Sequence, residues 1–385
     1  MKICSITAWR FDSPFKHCFK HASASRSATE NIIAVVESEN GQIGYGEGCP
    51  RAYVTGETAA SSAAFIGRHS HALSSRVRRL SDLADWISRN ATVIDTNPAA
   101  FCAVELALLD LLAKSSGTSV EGLLGLAELA GDFRYSAVLD ASEPAVFATQ
   151  LQRYRDAGFR DFKIKLSGEA AQDRERLSCL QGHAQEGLRL RADANNIWRK
   201  TTDCIAYLEG LDNPFFAIEE PLQANNLVAF LTVSRALNRK IILDESLLRA
   251  EQIEALTRYP EYWILNCRVS KLGGLLRSLA LVKRAKTREL EIVVGAHVGE
   301  TSLLTRAGLT LAQNAGAALV AQEGAFGTHL LMSDFCRPVL MFQAGGMLAA
   351  GHALAGRRAG WGLEVEAEAL RQVGGYRTFD KALST

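Results

Sequence analysis

The stretch DFKIKL (161–166) is a short β-rich run interrupted by two lysines, Lys163 and Lys165, and how it is read decides the fold. Side chains alternate along a strand, so the two lysines share one face and Phe162 and Ile164 share the other. Comparable runs lie on either side: YSAVLD (135–140), LRLRADAN (188–195), FFAIEEPL (215–222), KIILDES (240–246), YWILNCRV (262–269), EIVVGAHVG (291–299) and ALVAQEG (318–324). Starting from Lys165, the polar residues near their C-terminal ends are Asp193, Glu219, Asp244, Arg268, His297 and Glu323, at intervals of 28, 26, 25, 24, 29 and 26 residues. Each interval has the length of one strand and one helix. Eight runs at this period, apolar on both faces, predict an α/β fold: parallel strands closed into a (β/α)8 barrel of the TIM type, with an open doubly wound sheet as the alternative.

The first hundred or so residues read differently, as α+β. NIIAVVESENGQIGYGEG (31–48) places two β-rich segments around ENGQ, a hairpin signal, and a helical stretch follows near 58–90. PAAFCAVELALLDLLAKSSG (98–117) carries Phe101, Val104, Leu108, Leu111 and Leu112 at helical spacing and closes on Lys114 and Gly117. The tail GWGLEVEAEALRQ (360–372) looks strand-like and falls outside the barrel period.

Composition narrows the function. The chain has 385 residues, is nearly half hydrophobic, and carries 43 Lys and Arg against 42 Asp and Glu. That balance suits a small-molecule partner, with no nucleic acid and no membrane surface. The eight cysteines are scattered without CxxC spacing, and the N-terminal MKICSITAWRFDS lacks the apolar core of a signal peptide. A cytoplasmic location is expected. RHSH (68–71), His17 and His21 read as surface histidines, since neither group has acidic or cysteine company at ligand spacing. Neither a phosphate-cradling loop nor a G-x-S-x-G elbow is present.

Barrel enzymes work at the C-terminal ends of their strands, where this chain concentrates its charge. Asp193, Glu219 and Asp244 end three successive runs, and three acids converging in one mouth need a cation between them. An all-oxygen set suits Mg²⁺; separate salt bridges or solvated strand ends are the plainer alternative. A lysine beside such an ion and another ammonium has its pKa pushed down, so that Lys165 can take a proton. Proton removal next to a carboxylate gives an enediolate, whose extra charge the flanking cations meet. By parity Arg268 faces the interior with Asn266 and Ser270, whereas Lys271 is out of phase and reads as a strand-end lysine bonding a carboxylate or carbonyl. Arginine is a poor base and a good clamp, for the substrate's carboxylate or for Glu245.

These residues resemble the enolase superfamily, and within it the mandelate racemase and muconate lactonizing enzyme group. The resemblance covers nearly the whole chain and rests on GYGEGCPRAYVTGET (44–58), LALLDLLAKSSG, KIK, DAN, EEP, DES and KLGG. It implies a modified TIM barrel at 131–345, an α+β capping domain at 1–130, and a C-terminal segment, 346–385, that returns to the capping domain. It further implies Mg²⁺ on Asp193, Glu219 and Asp244 with Asn195, Glu220 and Glu245 in support, Lys165 as base, and Lys163 as its electrostatic aid. Tyr53, Val54 and the polar stretch 16–27 would be specificity loops. Asn195 and Glu323 are expected to bind substrate, Glu323 by orienting it or by holding Arg268. The lactonizing subgroup has a lysine five residues before the Gly-Gly pair, and the racemase subgroup an Asp that partners a seventh-strand His; here Arg268 stands there, and His297 is the candidate opposite Lys165.

The expected activity is removal of the proton α to the carboxylate of a small organic acid. The outcome is first an isomerisation (cycloisomerisation, racemisation or epimerisation), with dehydration of a hydroxy acid next, and a carboxylate- and Mg²⁺-binding barrel without turnover as the non-enzymatic alternative. A carboxylate-metal hydrolase would use an activated water instead of the lysine pair. Barrels of this group often assemble, so a homo-oligomer is expected.

Overall fold

The computed structural model describes residues 1–21, 24–181, 187–211, 215–356 and 359–373. The side chains of residues 17–25 lie outside the described residues, and with them His17, His21 and most of the stretch 16–27. The N-terminal layer is built from β1 (Ile3–Phe11), β2 (Pro14–His21), β3 (Ala24–Ala28), β4 (Asn31–Ser38) and β5 (Ile43–Gly48). The helices α1 (Ala59–Arg76), α2 (Leu80–Arg89), α3 (Ala91–Asp95), α4 (Pro98–Ser115) and α5 (Val120–Leu123) follow. Strands β1, β4 and β5 form an antiparallel sheet, and β4 and β5 are the hairpin expected around ENGQ.

After β6 (Asp132–Arg134) come the parallel strands β7 (Ala137–Leu139), β8 (Asp161–Lys165), β9 (Arg189–Asp193), β10 (Ala217–Glu219), β11 (Lys240–Leu243), β12 (Trp263–Cys267), β13 (Glu291–Val294) and β14 (Leu319–Gln322). They pair in sequence order. The ring closes through a backbone bond from Ser136 N–H to Gln322 O, 2.8 Å. The expected eight-stranded barrel is thus found, and the open-sheet alternative is set aside. Its helices are α6 (Pro144–Asp156), α7 (Ala170–Gln181), α8 (Thr201–Glu209), α9 (Leu227–Leu237), α10 (Leu275–Thr287) and α11 (Ser302–Ala315). Two units depart from the ideal: a 3₁₀ segment, Ala250–Leu256, follows β11, and after β14 the described chain has no α-helix before β15 (Cys336–Arg337).

The chain ends with β16 (Met347–Ala349), paired to β6, α12 (Ala350–Ala353), β17 (Glu364–Val365), paired to β15, and α13 (Ala367–Val373). The strand-like tail is therefore only two residues of strand before it turns helical, as the helix formers in AEALRQ favour. Trp361 anchors it on α4, donating from its backbone to Asp110 Oδ1 and from its ring to Leu106 O, at 3.0 and 3.1 Å.

Local sequence explains why α4 is buried on nearly every side. Gly44, Gly46 and Gly48 alternate along one face of β5, and a Cβ there would come within about 2 Å of Ala107 O, Ala103 O and Ala99 O, at 2.2, 2.1 and 2.0 Å. The missing side chains let the helix lie directly on the strand. GYGEG is therefore structural, and the loop proper starts after Gly48.

Two carboxylates of this layer reach across to the barrel. Glu105 of α4 accepts from Leu275 and Leu276 N–H at the start of α10, at 2.6 and 3.0 Å. Glu47 of β5 accepts from Thr301 N–H and Oγ1 and from Leu304 N–H at the start of α11. Both satisfy helix donors that have no intrahelical partner and both meet the positive end of a helix dipole. The Gly-Gly pair of KLGG makes the first contact possible: Gly274 has φ +107°, and a Cβ there would lie 2.3 Å from Glu105 Oε2.

Gly46→Ala is expected to cost about 1–3 kcal/mol in chemical denaturation, because neither backbone can yield. Burial, only partly countered by the helix donors, pushes the carboxyl of Glu105 up to about 8 and that of Glu47 up to about 7. These groups keep protons in the folded state that the unfolded chain releases above pH 4.5, so their contribution is full below that pH and lost as pH rises through 7 and 8. Thermal unfolding should therefore shift to lower temperature between about pH 5 and pH 8, and Glu105→Gln should flatten that slope.

Candidate active site

Strand register brings the chemistry together. Lys165 pairs with Asp193, and Asp193 with Glu219, so one lysine and two acids stand at one level on three adjacent strands. Lys163, Lys165, Asp193, Glu219 and Asp244 are all buried. The parity expected of the lysine pair and of Arg268 with Asn266 holds, since all four point into the mouth and bond the acids there.

Side-chain cations lie among the acids. Lys163 Nζ is 2.9 Å from both oxygens of Glu219 and 3.0 Å from Asp193 Oδ2, with Glu323 at 3.4 Å. Burial alone would depress the Lys163 ammonium, but Asp193, Glu219 and Glu323 outweigh it and hold the pKa well above the ordinary lysine value. Lys163 stays charged. Asp193 is pushed up by burial and pulled down further by Lys163 and Lys165, ending well below the carboxylate range. Glu219 goes the other way, raised to about 8 by burial and by the charges of Asp193, Glu323 and Asp244.

Lys165 Nζ donates to Asn195 Oδ1 at 2.9 Å and to Asp193 Oδ2 at 3.2 Å, and it lines a cleft of about 630 Å³ at the barrel mouth. Asn195 and Glu220 hold left-handed backbone, φ 44° and 41°, at the turns leaving their strands. The strain is tolerated because both side chains are pinned. Asn195 bonds Lys165, while Glu220 accepts from Asp244 N–H and Ser246 N–H at 2.7 and 2.8 Å and so fixes the turn that presents Asp244.

Arg268 bonds Asp244 and lies 3.8 Å from Glu219 Oε1. Its partner is thus Asp244 and not Glu245, as the clamp reading allowed, because Asp244 is the acid on the neighbouring strand's inner face. Lys271 donates to Asp244 Oδ1 and O and to Asn266 O, the strand-end role its phase suggested. Glu323 is held by Arg191, at 2.8 Å, and by Lys163; no bond to Arg268 forms among the described residues. His297 lines the cleft, with neither ring nitrogen hydrogen bonded among the described residues and Nδ1 3.6 Å from Glu300. Burial, together with the charges of Arg268, Arg51, Lys271 and Arg26, pushes its pKa well below 6.5, so the imidazole is neutral.

Tyr53 lines the cleft, but Val54 does not, because its backbone turns back onto Arg51 O. His71 of RHSH is exposed, as expected, and His69 is half-buried, packing against Phe65 with centroids 4.6 Å apart. Arg191 was missed, since a buried arginine two residues before Asp193 gives no signal by spacing; it joins Asp161, at 2.6 Å, to Glu323 beneath the lysines.

Among the described residues no three acids are closed around one point, because Lys163 and Arg268 stand between them. The donor set still fits a divalent ion. It is all oxygen, it comes from three neighbouring strands, and Glu219 Oε2, although close to Lys163, receives no aligned hydrogen bond.

Residues 5–125 match the mandelate racemase / muconate lactonizing enzyme N-terminal domain, and residues 146–369 match the family described as enolase C-terminal domain-like. The chain belongs to the enolase superfamily, in the mandelate racemase / muconate lactonizing enzyme group, and is an enzyme of that superfamily. It is similar to the hydrophobic dipeptide epimerase of Enterococcus faecalis, 26% identical over 327 residues that cover 83% of this chain and 88% of the relative. The structure of the E. faecalis V583 dipeptide epimerase complexed with Mg and the dipeptide L-Leu-L-Tyr has TM-score 0.80 at 24% identity, covering 94% of this chain and 100% of that one. The Rhodococcus opacus 2-chloromuconate cycloisomerase has the same fold, with TM-score 0.86 at 21% identity over 98% of this chain and 100% of the other.

Arg191 bonds both Asp161 and Glu323, and Lys163 shares in neutralising Glu323. Arg191→Met should leave both carboxylates buried with one cation fewer and lower stability by about 3–5 kcal/mol, read by denaturant unfolding.

Proposed function

We propose that this protein removes the proton α to the carboxylate of a small organic acid, with Lys165 as the base. The observation that carries the reading is Lys165 Nζ itself: it lines the cleft, and its bonds to Asn195 and Asp193 aim it. Asp193, Glu219 and Asp244 would hold Mg²⁺, a reading supported by the E. faecalis epimerase structure that contains Mg. The bound ion supplies positive charge for the substrate carboxylate and the developing enediolate. Lys163, which stays charged, and Arg268 add fixed cations at the same mouth and need no reorganisation as charge builds. Tyr53, from the N-terminal layer, borders the same cleft.

The overall reaction is an isomerisation, the class to which the similar epimerase belongs. Within that class the residues favour a single proton-transferring face. Arg268 cannot release a proton, and His297, buried among cations and without an aspartate partner, is disfavoured as the imidazolium a second base would become. The same one-base arrangement suits a second reading, elimination of water from a hydroxy acid on the face of Lys165. A homo-oligomer in solution is part of the same proposal, by analogy with barrels of this group.

In D₂O with Mg²⁺ and a library of small carboxylates, wild-type protein should exchange the α-hydrogen of its substrate, followed by NMR. Lys165→Ala should slow that exchange by at least about 10²–10⁴-fold. Deuterium should enter with retained configuration; an inverted, deuterated product would assign His297 the role of second base.

A further inference from the structure

Beside the active-site cleft lies a larger cavity that the reaction does not use. It is an open cavity of about 1190 Å³, its mouth included, between α6 and the segment that follows β14. It exists because no α-helix of the described chain packs on α6 after the last barrel strand. Val138 and Phe326 border both cavities, so the two adjoin across a wall made by these side chains.

Its lining is built. Phe342 is a hub, with Phe159 and Phe326 edge-on at 5.3 and 5.4 Å and His329 stacked on it at 4.6 Å. His329 Nε2 is fixed 2.8 Å from Phe342 O. Against this aromatic wall stands one carboxylate, Asp140. Asp140 follows directly on β7 and lines the cavity together with α6. Asp140 Oδ1 is buried and has no hydrogen-bond partner among the described residues. A buried acceptor left unmade is costly unless a ligand completes it.

We propose that this cavity is the subsite for the second arm of the substrate. It takes an aromatic or bulky aliphatic group that passes between Val138 and Phe326 and donates a hydrogen bond to Asp140. The proposal rests on the reading of the neighbouring cleft, because it needs the carboxylate anchored there beside Lys165. It deepens that reading by making the substrate a long, amphipathic acid.

Calorimetry on the full chain with Mg²⁺ tests it with three acids: lactate, an ω-phenyl α-hydroxyhexanoate, and an ω-anilino acid of equal length whose N–H is the added donor. The phenyl acid should bind at least about tenfold more tightly than lactate, and the anilino acid more tightly again. Ala157→Leu, which fills the cavity, should bring the phenyl-to-lactate ratio to within about twofold, and Asp140→Leu should erase the anilino advantage. If Ala157→Leu fails to fold by circular dichroism, the anilino comparison in Asp140→Leu decides. Equal binding of the phenyl acid and lactate, or an arm preference that survives Ala157→Leu in a folded variant, overturns the subsite. α-Deuterium exchange on the same samples separates the two claims. Exchange without arm preference leaves Lys165 as base and removes the subsite, whereas arm-dependent binding with no exchange keeps the subsite and removes the base.

Discussion

Burying acids is expensive, and this barrel mouth buries many of them side by side. Asp193, Glu219 and Asp244 on successive strands, with Glu323 closing the ring, are survivable only because cations sit among them. Lys163 bridges Glu219 and Asp193, Arg268 and Lys271 take Asp244, and Arg191 takes Glu323 from below. The chemistry follows from the same constraint. A site that collects oxygens and fixed positive charge is suited both to a divalent ion and to an enolate formed next to a carboxylate.

The N-terminal layer meets the barrel by a related device. Glu47 and Glu105 place carboxyl groups on the starts of α11 and α10, and Glu57 does the same for α4 through Ala99 and Ala100 N–H, both at 2.9 Å. Helix donors that would otherwise lack partners are thus satisfied, across the interface by Glu47 and Glu105 and within the layer by Glu57, which closes the loop carrying Tyr53 to the cleft. The N-terminal layer and the barrel are closely fitted, and Gly274 and the β5 glycines are places where that fit cannot accept a side chain.

Much of this was legible in the sequence because period and parity are properties of strands alone. The regular spacing of the strand ends gave the barrel, and alternation placed Lys163, Lys165, Asn266 and Arg268 inside it. Partner choice was not legible. Arg268 could have met Glu245 and Glu323 could have met Arg268; the twist of neighbouring strands put Asp244 and Arg191 nearer. A local pattern misled where its role is long-range: the tail alternates like a strand but folds mostly as helix. Asp140 stands 25 residues before Lys165, at the period of the other strand ends, but spacing does not tell that its carboxyl Oδ1 finds no partner among the described residues.

The account stands or falls on whether the three strand-end acids form one cation centre beside Lys165. Calorimetric titration of Mg²⁺ into the intact protein measures this directly. The expected result is a single ion per chain whose binding is lost in Asp193→Asn, Glu219→Gln and Asp244→Asn alike. Absence of binding, or binding that any one of these substitutions leaves intact, would contradict it.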